Sequence, residues 1–243
     1  MFFTKRTPQS PLGRTAASVG AGLLLVAVAA VFGACGSGSN EAAKNAAPKN
    51  AAPPVVLADK PDKSLVGVFE TTAGRVVIEF LPEYAPTHTL VFQNLFRQGF
   101  FDGMVFFRVI PKQAVQAGGP NSKDDNPYDD NQVLPTQRHI PTEISPKIHH
   151  ARGTVSAAHP DDDVDGATSQ FFIATKENRA WDGRYTIFAR VVDGMDVVDK
   201  MADAPLRTDD NRLRDRPVDP VKITKAYLAP RDEALPKGGP KKD

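Results

Sequence analysis

The sequence predicts a mainly β fold, an antiparallel barrel or sandwich carrying two helices, and three observations support this. Short apolar, β-branched runs recur at close spacing between clusters of Gly, Pro, Asn and Asp. Only two stretches shift to a helical period. The regular strand–helix alternation of a parallel nucleotide-binding sheet is missing from the pattern.

In chain order, Leu65 to Glu70 and Arg75 to Phe80 alternate in hydropathy and are joined by "TTAG", a hairpin whose glycine precedes the second strand. "APTHTLVFQNLFRQG" then reads as a helix, with Pro86 suited to its first turn and Gly99 to its stop. Val91, Phe92, Leu95 and Phe96 fall on one face of it. Short strands are expected at Met104 to Ile110, Ala114 to Ala117, around Ile140 to Ile144, Gly153 to Ala157, Gln170 to Thr175 and Thr186 to Val192. "DGMDVVDKM" supplies the second helix and Val221 to Leu228 the last strand.

The ends of the chain read differently. Lys5, Arg6 and Arg14 precede "AASVGAGLLLVAVAAVFGAC", which has the pattern of a secretory signal. Cys35, the single cysteine, stands where the apolar run ends, behind Gly33 and Ala34. That resembles a bacterial lipoprotein signal, so residues 1–35 are expected to be a signal peptide ending in a lipidated Cys35. Phe32 departs from the smaller aliphatic residue usual there. An uncut span over Ala16 to Ala34 and plain secretion are the alternatives. All three leave the rest of the chain outside the cytoplasm, because the positive charges stay inside. Residues 36–64 lack apolar periodicity and read as a disordered tether, and residues 229–243 as a disordered tail. The folded domain is expected to be residues 65–228.

Charge excludes one class of partner. The 243 residues carry 30 Lys and Arg against 29 Asp and Glu, a formal net of +1 without the basic stripe that nucleic acid requires. "DDDVDG", Asp161 to Gly166, matches the first half of a calcium loop, but the position that needs a bidentate glutamate is Phe172. It reads as a solvated acidic loop, as does Lys123 to Asn131, and no metal site is expected. His149 and His150 read as loop residues.

Arg108 stands out within the otherwise apolar run Met104 to Ile110, since a guanidinium stays charged and is expensive to desolvate. The segment that holds it, "FFDGMVFFRVIPKQAVQAGG", together with "GTVSAAH", "TSQFFIAT" and "WDGRYTIFARVVDGMDVVDKM", resembles the cyclophilin family of peptidyl-prolyl isomerases, in the family's order. The similarity spans Leu65 to Leu228. It implies a closed eight-stranded antiparallel barrel capped by two α-helices, and an enzyme that turns X–Pro bonds in proline-containing peptides and unfolded proteins without a cofactor. It implies that Arg108 is catalytic and that Gln116 hydrogen-bonds the substrate backbone. Gln170 and Ala158 fall on peptide-contacting positions, and Phe172 on the floor of the proline pocket. Phe171 should face the barrel interior by strand alternation. Tyr185 falls at the pocket rim, and Trp181 replaces a pocket leucine.

Departures from the family pattern are concentrated in the groove. Gln113 replaces a pocket phenylalanine and Ala114 a methionine. His159 replaces a peptide-binding asparagine, and Phe107 the histidine before the arginine. Ala180 replaces a tryptophan associated with drug binding in some members, which counts against cyclosporin sensitivity. Gln113 and His159 motivate an alternative reading, a non-catalytic module that only binds proline-containing segments.

Overall fold

A computed structural model describes residues 56–134 and 136–235. The signal and Cys35, like most of the tether, lie outside the described residues. Eight strands form one antiparallel sheet: β1 (Leu65–Thr71), β2 (Gly74–Phe80), β3 (Arg108–Ile110), β4 (Ala114–Ala117), β5 (Thr154–Ala157), β6 (Phe171–Ala174), β7 (Ile187–Asp193) and β8 (Ile223–Pro230). Their order across the sheet is β3-β4-β6-β5-β7-β2-β1-β8. Helix α1 (Pro86–Arg97) follows β2, α2 (Met195–Ala202) follows β7, and a short α3 (Arg231–Ala234) follows β8.

Strand alternation divides the sheet into two faces. Phe69, Val76, Ile78, Val109, Val115, Val155, Phe171 and Ile173 are buried on the inner one, and α1 adds Phe92 and Phe96. The interior is largely aromatic. Phe171 stacks on Phe69 with ring centroids 5.4 Å apart, and Phe101 meets it edge-on at 5.7 Å. Such offset and edge-to-face pairs contribute beyond the area they bury.

The barrel is curled but not fully closed, which corrects the sequence expectation. Regular pairing on the β3 edge begins only at Arg108, so β3 and β8 form no ladder. The preceding segment bridges the gap instead, through Gly103 N–H to Ile223 O (2.8 Å), Ile223 N–H to Met104 O (2.8 Å) and Phe106 N–H to Val221 O (2.9 Å).

Three further expectations change. The stretch Ile140 to Ile144 is no strand, and only Ile140 bridges, to Ala167. It serves α1 instead. The residue before the helix, Ala85, has no side chain to cap it, and Glu143 accepts from the N–H groups of Thr87 and His88, both at 2.9 Å. A carboxylate there satisfies orphan donors and complements the helix dipole. The folded region also runs past residue 228, because β8 continues to Pro230 and Ala234 of α3 is buried beside Val66, Val68 and Val77. At the other end, Asn94 and Gln93 of α1 hold the main chain of Ala58 and Asp62 with bonds of 2.7–3.0 Å.

Candidate active site

The register of the sheet assembles the site. Arg108 on β3 pairs with Gln116 on β4, Gln116 pairs with Phe172 on β6, and Phe172 with Ser156 on β5. Directly opposed residues share a face, so one row crosses four strands on the outer surface. Their neighbours Val109, Val115 and Ile173 turn inward. A core of apolar side chains thus forces the polar row outward, and the lone arginine of the strand is explained by its position in that row.

Arg108 is held at two sides. Its Nε and Nη2 each donate to Asp215 Oδ2 at 3.2 Å, and its Nη1 lies 3.4 Å from Gln116 Oε1. Gln116 Nε2 donates to Gln170 Oε1 at 2.9 Å, and Gln170 Nε2 to the Asn131 carbonyl at 2.8 Å. Each amide is orientated by the one before it, and all three side chains are largely shielded from water. Such directional chains strengthen in a low local dielectric.

Beside this polar chain lies an apolar cluster of Ala114, Ala158, Phe172, Trp181 and Tyr185. Trp181 and Tyr185 meet Phe172 edge-on at 5.0 Å and 5.4 Å. Phe172 has no solvent exposure and Tyr185 only 2%. Phe172 therefore lies beneath the surface of the cluster, and Tyr185 is buried where a rim position was expected. Burial pushes the Tyr185 phenol up, while the charges of Arg184 and Arg108 pull the other way.

Other predicted site residues are committed to the chain's own structure. His159 stacks on Tyr185 at 4.5 Å, and its ring nitrogens lie 2.8 Å from the Pro160 carbonyl and 2.9 Å from that of Arg184. The imidazole thus packs on Tyr185 with a carbonyl beside each nitrogen, of which a neutral ring bonds to one. Ala158 gives its N–H to Gln170 O at 2.9 Å. Gln113 sits at the margin of the apolar cluster, its Oε1 3.3 Å from Asn178 Nδ2. In the acidic loop, Asp165 Oδ1 accepts from Thr142 N–H at 2.8 Å and Asp163 Oδ1 from Asp165 N–H at 3.2 Å.

Two contributors were not legible in the sequence. Asp215 lies 107 residues from Arg108 in the charged run "RLRDRP". His150, read as a loop residue, is buried against the apolar cluster, stacked on Phe172 at 6.1 Å and edge-on to Trp181 at 5.9 Å. Its Nδ1 and its N–H each lie 2.9 Å from Asp182 Oδ1. Burial lowers the imidazole's proton affinity, and the hydrogen bond and charge of Asp182 offset this only in part. The adjacency of Asp182 to Trp181 was the available signal.

Comparison with known proteins agrees with this geometry. A family model described as "Cyclophilin type peptidyl-prolyl cis-trans isomerase/CLD" matches residues 67–228. The peptidyl-prolyl cis-trans isomerase ppi1 of Schizosaccharomyces pombe is 35% identical over 161 residues, covering 65% of this chain and 94% of the relative. A peptidyl-prolyl cis-trans isomerase of Acinetobacter baylyi is 34% identical over 166 residues, covering 65% and 82%. The fold matches a Cryptosporidium parvum cyclophilin type isomerase, solved in the presence of the dipeptide Ala-Pro, with a TM-score of 0.58 and 21% identity over 68% of this chain and 98% of that one. The fold, the outward row across β3, β4 and β6 and the family match agree, and the chain belongs to the cyclophilin-type peptidyl-prolyl cis-trans isomerases.

Proposed function

We propose that this isomerase turns X–Pro bonds of proteins outside the cytoplasm, assisting their folding, while anchored to a membrane through a lipid on Cys35. The observation that carries the catalytic part is the row Arg108–Gln116–Phe172, which sets a charged donor beside an apolar aromatic cluster.

An X–Pro bond is planar through amide resonance, with a rotation barrier of roughly 18–20 kcal/mol. At the half-turned geometry resonance is lost and the prolyl nitrogen regains a lone pair. Arg108 donates to that lone pair, which the planar ground state does not offer. An interaction present only in the transition state raises the rate without tightening ground-state binding. One charge-assisted hydrogen bond is worth about 1.5–3 kcal/mol, which corresponds to roughly 10- to 150-fold in rate. The proline ring rests against Trp181 and Ala158, with Phe172 and Tyr185 beneath. Gln116 holds the peptide backbone while the bond turns. Protonation chemistry has no part in the step.

The extracytoplasmic part rests on the N-terminal sequence, where basic residues, an apolar run and Gly33-Ala34-Cys35 follow in order. Cell fractionation of wild type beside Cys35→Ala tests it. Wild type should sediment with membranes and take up labelled fatty acid, and the variant should take up none. Label on wild type but not on the variant supports the anchor, and an unlabelled wild type would refute it, as an uncut span if it sediments with membranes and as plain secretion if it is soluble.

A further inference from the structure

We propose that Asp215 is the positioning residue of the catalytic arginine, and that the loop between α2 and β8 exists in part to deliver it. The inference rests on the isomerase reading of Arg108. Asp215 Oδ2 accepts from both Nε and Nη2, so the carboxylate lies along one edge of the guanidinium. Gln116 takes an N–H of Nη1, the nitrogen away from that edge. Contacts on both sides fix the guanidinium plane, which a single partner would leave free to swing on its long stem.

The loop is itself pinned at this point. The main-chain carbonyl of Asp215 accepts from Val109 N–H at 2.7 Å, stitching the loop alongside β3. The next residue, Arg216, forms an ion pair with Asp130, whose side chain is only 3% exposed. Burying two charges costs heavily unless they meet. Asp130 precedes Asn131, and the Asn131 carbonyl accepts from Gln170. The contacts therefore close a circuit: Asp215, Arg108, Gln116, Gln170, Asn131, and back through Asp130 and Arg216 to Asp215.

An ion pair this exposed, with Asp215 38% accessible, adds little to stability. Its effect lies in aim. A donor must point at a nitrogen whose lone pair lasts only through the half-turned state, and small misplacement of a catalytic group costs up to about 100-fold.

The test measures kcat and KM on a proline peptide for the full chain carrying Asp215→Ala, Asp215→Asn, Arg108→Ala, and Asp215→Ala with Arg108→Ala. Asp215→Ala should lower kcat about tenfold with little change in KM. Asp215→Asn, which keeps an acceptor oxygen in place, should recover part of that loss. With Arg108 already absent, Asp215→Ala should cost nothing further, whereas a purely structural role would multiply the two losses. In parallel, the Arg108 Nε–H resonance should exchange slowly with solvent in wild type and quickly in Asp215→Ala. Wild-type kcat in Asp215→Ala, multiplying losses, or an unaltered Nε–H would each overturn the inference. If Arg108→Ala is itself as fast as wild type, the reading of Arg108 fails and takes this one with it. A slow Arg108→Ala beside a normal Asp215→Ala overturns this one alone.

Discussion

Two adjacent residues on β6 show how differently the two faces of the sheet are built. Phe171 points inward among Phe69 of β1, Phe92 of α1, and Phe101 and Phe106 from the chain between α1 and β3. Phe172 points outward and is covered by Trp181, Tyr185 and His150, which come from loops and strand ends. Both rings are fully buried, the inner one among side chains of β1, α1 and the segment before β3, the outer one by chain brought over it from beyond the sheet. The interior is set by alternation, which is local. The groove is set by return of distant chain to the outer face, which is not.

Substitutions can separate the two roles. Phe171→Ala should have the largest effect on stability, about 3–5 kcal/mol by urea unfolding, as expected for emptying an aromatic site in a close-packed core. The fraction that remains folded should turn over at nearly the wild-type rate. Phe172→Ala, which empties an equally buried site, should lose stability as well but add a defect in binding, with KM for a proline peptide raised about tenfold. Equal KM in the two variants would erase the distinction between the faces.

Acid sharpens the comparison on a smaller scale. His88 and His150 are both buried beside an aromatic ring, at Phe188 and Phe172 respectively, and burial lowers the proton affinity of each in the fold. The unfolded chain therefore binds more protons once pH drops below about 6.5. Stability is full above that value and falls as pH descends toward the lowered folded values. Glu143 and Asp182 extend the loss to lower pH. Burial acts to raise each carboxyl, but bonds from His88 and Thr87, and from His150, outweigh it and leave both below the ordinary range. Melting temperature should fall between pH 7 and pH 5, and His150→Gln should flatten part of that fall. A pH-independent melting temperature in wild type would contradict the assignment.

The same contrast explains what could be read in advance. β1, β2, β4 and α1 follow from alternation, a turn glycine, Pro86 and Gly99, all local signals. The stretch around Ile140 misled because apolar residues with a β-branched threonine look like a strand, whereas Glu143 is there to cap a helix begun by an uncapped Ala85. β8 was cut short at Leu228 because Ala229 and Pro230 resemble a tail, although Leu65 and Val66 of β1 supply partners for both. Arg108, Gln116 and Phe172 stand out in the sequence because motifs carry them, and the sheet register brings them into one row. Asp215 was not, since its relation to Arg108 exists only once the loop after α2 folds back over β3.

The measurement that bears most directly on the account is the catalysed isomerisation rate of a proline peptide by wild type and by Arg108→Ala, with binding of the same peptide followed in parallel. The account predicts a loss of roughly 10- to 150-fold in kcat, with peptide affinity and melting temperature close to wild type. A variant as fast as wild type, or a wild type that binds the peptide without accelerating its rotation, would contradict it.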